Sequence, residues 1–235
     1  MIRIGVTGTD TGAGKTVVTS ALVALLRRRG CTVAAMKPVE TGREPDDATS
    51  DAALLRGAAG GVDRIDAVRP ILLPEPLAPW IAAERAGTPV DVDALGAAFR
   101  RLSTGRDAVV VEGAGGLLVP LTREVAFDEL FRRWGLDVVI VAGNRLGVLN
   151  HALLTLRACH GAGLRVRGIV LNALSSDGGG LAERTNLCAL ADLAAPVPVL
   201  PFPWIDDPTD LHALADAAET AGFDGLIADE SADGD

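Results

Sequence analysis

The chain of 235 residues contains no tyrosine, only two lysines (Lys15 and Lys37), three cysteines and 3% aromatic residues. With so few rings, a core must be built from Leu, Val, Ile and Ala, and hydrophobic residues at 49% of the chain suffice for one. Cys31, Cys159 and Cys188 are odd in number, far apart and without a C-x-x-C pair, which excludes a disulfide framework or a zinc site of the usual spacing. His151, His160 and His212 show neither triad nor metal spacing. No apolar run approaches the roughly 18 residues of a membrane-spanning helix. The chain enters Ile2-Arg3-Ile4-Gly5-Val6 at once, without the pattern of a signal peptide. A soluble cytoplasmic protein is expected. Base is also in short supply: the net charge is −9. Neither nucleic acid nor an anionic membrane is therefore an expected partner, since both call for a basic surface.

What is present is alternation. Short β-branched runs at 2–6, 32–36, 108–111, 137–141, 166–171 and 197–200 are separated by helical stretches at 15–29, 51–57, 91–102, 149–162, 181–193 and 210–221. That pattern predicts an α/β fold with one doubly wound, mostly parallel sheet. Several of the strand runs are continuously apolar, as strands covered on both faces should be. In the first helix Val18, Leu22, Leu25 and Leu26 recur at helical spacing and should face the sheet. Segments 42–50, 175–180 and the five-proline stretch 196–208 read as loops. One domain over 1–228 is expected, with 229–235 an acidic, disordered tail.

The segment Gly8-Thr9-Asp10-Thr11-Gly12-Ala13-Gly14-Lys15-Thr16 follows a strand and opens a helix. That context identifies a phosphate-binding loop for a magnesium nucleoside triphosphate. Glycines let backbone N–H groups point at phosphate oxygens, and the helix start adds partial positive charge. Lys15 can reach the β- and γ-phosphates, and the Thr16 hydroxyl can ligate Mg²⁺. The spacing departs from the usual loop, with Thr9 at the first-glycine position.

Such a loop needs an acidic partner at another strand end to hold the water shell of the metal. Glu112, closing the run Ala108-Val109-Val110-Val111, supplies one, and Asp51 is a second candidate. Mg²⁺ is content with one or two carboxylates beside phosphate oxygens and water. Lys37 ends the second expected strand, which should lie near the first and so aim Lys37 at the phosphate loop. A compact, mobile ammonium suits charge that develops on a reacting phosphoryl group.

Taken together, GTDTGAGKT, KPVETG, SDAALL, VEGAGGLLVPL, GNRLGVLNHALLT, VLN and PFPWI resemble dethiobiotin synthetase in order and spacing, from residue 1 to about residue 205. The resemblance implies an ATP-dependent ring closure on a diamine, diaminopelargonic acid. CO₂ adds to one amine, the carbamate attacks the γ-phosphate, and the second amine closes a cyclic urea and releases phosphate. It implies ATP on Asp10, Thr11, Gly12, Ala13, Gly14, Lys15, Thr16 and Val17, with adenine near Asn172, Pro203, Trp204 and Ile205. Lys15 and Lys37 would neutralise transferring charge, with Thr11 catalytic beside them, and Thr16, Asp51 and Glu112 would surround Mg²⁺. Thr11 and Thr41 would contact the diamine or carbamate. Gly147, Val148, Leu149 and Asn150 would receive the far carboxylate of the diamine, across a homodimer with a shared site. The chain departs from the family pattern at Gly12, where many members are acidic, and at Arg145, where lysine is frequent.

Two other readings fit parts of the pattern. A partitioning or positioning ATPase would carry a second lysine where this chain has Asp10, and a basic surface or an amphipathic C-terminal helix. An amidating ligase of the cobyrinate type would need a glutamine-hydrolysing domain, for which 235 residues leave no room.

Overall fold

The β-branched runs build the sheet. In the computed structural model, which describes residues 1–228, the chain runs β1 (Ile2–Gly8), α1 (Lys15–Arg28), β2 (Val33–Met36), β3 (Val39–Thr41), α2 (Asp51–Ala58) and α3 (Ile65–Val68). It continues through β4 (Ile71–Leu73), α4 (Pro79–Ala86), α5 (Val92–Ser103), β5 (Ala108–Gly116), α6 (Phe127–Trp134) and β6 (Asp137–Gly143). Then come α7 (Val148–Gly161), β7 (Val166–Asn172), α8 (Leu181–Ala194), β8 (Val199–Phe202), α9 (Leu211–Thr220) and α10 (Asp224–Ile227). The main sheet has the order β2-β5-β1-β6-β7-β8 and every pairing in it is parallel.

Helices cover both faces, and the strand side chains divide accordingly. Ala108 and Val110 of β5 join a core with Val18, Leu22, Leu25 and Leu26 of α1 and Leu214 of α9. Val109 and Val111 point the other way, into a core with Phe99, Phe131, Trp134 and Leu156. Period-two alternation thus separates two apolar layers, which explains why the strands read as unbroken apolar runs. Phe99 and Trp134 stack with ring centroids 4.5 Å apart.

Several expectations needed correction. The second strand lies near the first as expected, but one place removed: β5 is between them, with Val33 opposite Ala108 and Ile2 opposite Ala108 on its other side. Strands β1, β5 and β6 run on into glycines, as at Gly8↔Gly116, because the neighbouring ladder supplies hydrogen bonds that residue preference does not foresee. β8 starts later than expected and contains Pro201, tolerated because β8 is an edge strand. The helices α3, α4, α6 and α10 and the small parallel sheet of β3 and β4 are additions. The segment 229–235, read as a disordered tail, lies outside the described residues. Among the described residues no helix is long and apolar enough to cross a membrane.

Candidate active site

Helix starts differ in how their first N–H groups are satisfied. Ser50 caps α2, Asp91 caps α5 and Asp210 caps α9 through side-chain oxygens. α1 has no such cap: its N-cap is Gly14, in the left-handed region at φ 88°. The first-turn N–H groups of a helix have no intrahelical partner, so those of Lys15, Thr16 and Val17 face outward beneath the loop as an anion cradle. Gly14 is required for a second reason. A Cβ there would lie 2.0 Å from Asn172 Nδ2, which donates to Ala13 O at 3.1 Å.

Four charges meet here: Lys15 and Asp51 open α1 and α2, Lys37 follows β2, and Glu112 lies within β5. Lys37 Nζ donates to Glu112 Oε1 at 2.6 Å, Asp51 Oδ2 at 2.7 Å and Gly113 O at 3.2 Å, using all three of its protons. Thr16 Oγ1 donates to Glu112 Oε1 at 3.0 Å. Lys15 is buried and donates to Asp10 O at 3.2 Å. Burial pushes the Lys15 ammonium below its ordinary pKa against the pull of Glu112, with Lys37 adding repulsion. Burial also opposes the Lys37 charge, but Glu112 and Asp51 together outweigh it and hold that ammonium above its ordinary value. Burial works against the Asp51 carboxylate as well, and Lys37 with Thr16 overcomes it, so Asp51 sits below the usual range.

Glu112 is fully buried, and its Oε2 has no hydrogen-bond partner among the described residues. A buried carboxylate oxygen without a donor is costly, so a donor from outside the protein fits there. No group of three or more His, Cys, Asp and Glu able to hold a metal occurs among the described residues. Two carboxylates and a hydroxyl instead suit Mg²⁺, which keeps its waters and takes phosphate oxygens from a substrate.

These groups open into a cleft of about 750 Å³ lined by Thr11, Lys15, Thr16, Lys37, Thr41 and Asp51, with Pro76, Leu77, Pro79 and Val119 as an apolar wall. Thr11, Gly12 and Asp10 are exposed on the loop, where Thr11 N donates to Asp10 Oδ1 at 2.7 Å and Arg145 Nη2 donates to Asp10 Oδ2 at 3.0 Å. Gly147, Val148, Leu149 and Asn150 do not line this cleft. They open α7 behind Gly147, another uncapped left-handed glycine at φ 93°. Pro203 and Trp204 are exposed and Ile205 half-buried; Trp204 Nε1 donates to Asp206 Oδ1 at 2.7 Å. Glu40 and Arg43, which sequence reasoning passed over, also line the cleft.

Comparison with known proteins agrees with this geometry. The family described as AAA domain matches residues 3–207. Among solved structures, the septum site-determining protein MinD of Pyrococcus horikoshii OT3, complexed with Mg-ADP, has a TM-score of 0.55 at 20% identity, covering 97% of this chain and 99% of that one. A ParA family ATPase of Chlorobium tepidum TLS follows at 0.54 and 14%, covering 97% and 96%. Both likenesses are of fold. Sequence relatives are much nearer. The ATP-dependent dethiobiotin synthetase of Anaeromyxobacter dehalogenans is 42% identical over 86% of this chain and 90% of its own. That of Nitrosospira multiformis is 40% identical over 91% and 94%. With the phosphate loop, the paired strand-end charges and these relatives in agreement, the chain belongs to the dethiobiotin synthetase family.

Proposed function

We propose that this protein is an ATP-dependent ligase that joins 7,8-diaminopelargonic acid and CO₂ into the cyclic urea of dethiobiotin, releasing ADP and phosphate. The observation that carries it is that Lys15, Lys37 and Asp51 line a cleft that also has an apolar wall, with Glu112 buried behind them on Lys37. Phosphoryl transfer asks for positioning and charge stabilisation, and an aliphatic diamine needs apolar surface beside it.

In this reading one amine adds to CO₂ and loses a proton to become a carbamate. A carbamate oxygen attacks the γ-phosphorus and ADP leaves; the second amine then attacks the carbonyl carbon and loses a proton as inorganic phosphate departs. The α1 N–H groups and Lys15 hold the triphosphate, Lys37 neutralises charge on the transferring group, and Thr11 and Thr41 orient the carbamate. Thr16, Asp51 and Glu112 would hold Mg²⁺, whose chemistry is to neutralise the phosphate oxygens. Asn172, with one N–H on Ala13, keeps its carbonyl and second N–H for a purine edge, and Pro203, Trp204 and Ile205 lie beyond it. ADP release that requires both the diamine and bicarbonate tests the reaction; release indifferent to either would sink it. A partitioning ATPase would hydrolyse without them.

The far carboxylate of the diamine is assigned to the α7 start, Gly147 to Asn150, of a partner subunit in a homodimer. Its uncapped N–H groups, and Leu146 at 85% exposure beside them, support that assignment. Val148 is buried, so a blocking substitution belongs at exposed Asn150. Mixing Lys37→Ala with Asn150→Trp, each inactive alone, should restore about a quarter of wild-type activity once subunit exchange is shown by an independent label. No recovery with both variants folded would mean that each subunit builds its site alone.

A further inference from the structure

The cleft holds a buried ion pair that none of these roles uses. The side chains of Glu40, in β3, and Arg69, just before β4, are only 3% and 5% exposed, and Arg69 Nη1 donates to Glu40 Oε2 at 2.9 Å. Each partner has a second bond. Glu40 Oε1 accepts the backbone N–H of Asp51 at 2.7 Å, and Arg69 Nη2 donates to Pro45 O at 3.0 Å. One ion pair therefore joins β3, the loop 42–50 and the first residue of α2. Its base is itself braced: Lys37 N donates to Val68 O at 2.8 Å, and Val39 pairs with Ile71.

Stability is a poor explanation for such a pair, because well-packed apolar residues of similar volume serve as well or better. Geometry is a good one. Asp51 opens α2, and the Glu40 carboxylate takes the first N–H of that helix while Ser50 takes the N–H of Ala53. The side chain of Asp51 then stands 2.7 Å from Lys37. Were the Asp51 amide released, the carboxylate would move with its helix end.

We propose that Glu40 and Arg69 form a positioning clamp that sets the Asp51 carboxylate against the cation side of the site and anchors the loop 42–50 over the cleft. The clamp rests on the reading of Asp51 as a partner of magnesium nucleotide, and not on the ring closure itself.

Binding of a fluorescent ATP analogue, titrated with Mg²⁺, tests it without turnover. Wild type, Glu40→Ala, Asp51→Ala and the double variant form a cycle, with folding checked by circular dichroism. Glu40→Ala and Asp51→Ala should each raise the half-saturating Mg²⁺ by about tenfold, the usual scale for a group that orients a ligand. The double variant should bind no worse than Asp51→Ala alone, because Glu40 acts through Asp51. Losses that multiply, or an unchanged Mg²⁺ dependence in folded Glu40→Ala, would overturn the clamp. If the alanine variant does not fold, Glu40→Gln enters the same cycle. Its NH₂ group replaces one of the two oxygens that Arg69 and the Asp51 N–H each use, so that one of these donors faces another donor; a smaller rise is expected, again vanishing when Asp51 is absent. No rise, or one that persists without Asp51, would count against the clamp equally. A chain that showed the coupled shift yet consumed no diamine would overturn the proposed reaction and leave the clamp standing.

Discussion

The phosphate end and the base end of the proposed nucleotide path are built to different standards. At the phosphate end Lys15, Lys37, Glu40 and Glu112 are all buried, and Lys37 alone has three hydrogen bonds. At the other end Trp204 is 45% exposed, and its indole donates to Asp206, two residues along the chain. The difference follows from what each end has to do. Charge that develops during phosphoryl transfer is stabilised only by dipoles and charges already in place. A purine ring needs a face to lie on and one or two polar contacts, and a loosely held surface can provide them. Substitutions should therefore cost much at the first end and little at the second.

Lys37→Ala should show the largest effect. Turnover should fall by about a hundredfold or more, the scale of a transition-state contact, while nucleotide affinity changes far less. Diamine-dependent phosphate release and equilibrium nucleotide binding, measured side by side, check the split. Turnover surviving within about threefold would remove Lys37 from the chemistry. Thr16→Val and Glu112→Gln come next. Each removes an oxygen or a charge that the proposed function gives to Mg²⁺, so the Mg²⁺ needed for activity should rise about tenfold. An unchanged requirement in both would mean that the metal is held elsewhere.

Acid should act on the phosphate end more gently. The Asp51 carboxylate is held below its ordinary range in the folded protein, so its contribution to stability is fully present above about pH 4, the unfolded value. It is lost as pH falls through the depressed folded value. Lys37 behaves in the opposite sense: its raised pKa gives stability that is present below about pH 10, the unfolded value, and lost only at higher pH. Urea midpoints measured from pH 7 down to pH 3 should thus fall less steeply for Asp51→Asn than for wild type. Equal slopes would mean that Asp51 gains nothing from Lys37.

How much of this was legible in the sequence depended on locality. The phosphate loop could be read because strand, glycines, Lys15 and Thr16 are contiguous, and the α1 stripe of Val18, Leu22, Leu25 and Leu26 because it repeats at the helical period. α6 was equally legible: Phe127, Leu130, Phe131 and Trp134 follow the same period and are all buried. The meeting of Lys37 with Glu112 was readable only in part. Each follows an apolar strand run, but their contact depends on β5 lying beside β2, between it and β1, which no local pattern states. Glu40 and Arg69 were beyond reach. Glu40 lies in β3, of three residues, and Arg69 between α3 and β4, of four and three, all too short for periodicity, and the bond between them spans 29 positions.

The smallest effect should come from Trp204→Ala. A partly exposed indole at the end of a path contributes by stacking, and such a contact with a base is worth roughly 1–3 kcal/mol when the ring is well engaged. Here nearly half of the Trp204 surface faces solvent, and its one polar hydrogen is committed to Asp206 rather than to the cleft. The low end of that range is therefore expected, a loss of about fivefold in nucleotide affinity with turnover at saturating nucleotide intact. Asn172→Ala gives the contrast, since Asn172 is buried and tied to Ala13 in the phosphate loop itself. Removing it should disturb both affinity and turnover, because it reaches the base side and the loop together. Comparing KM and kcat for the two variants decides the matter. If Trp204→Ala lowered turnover as much as Asn172→Ala, the base end would be as tightly coupled to the chemistry as the phosphate end, and the division between them would fail.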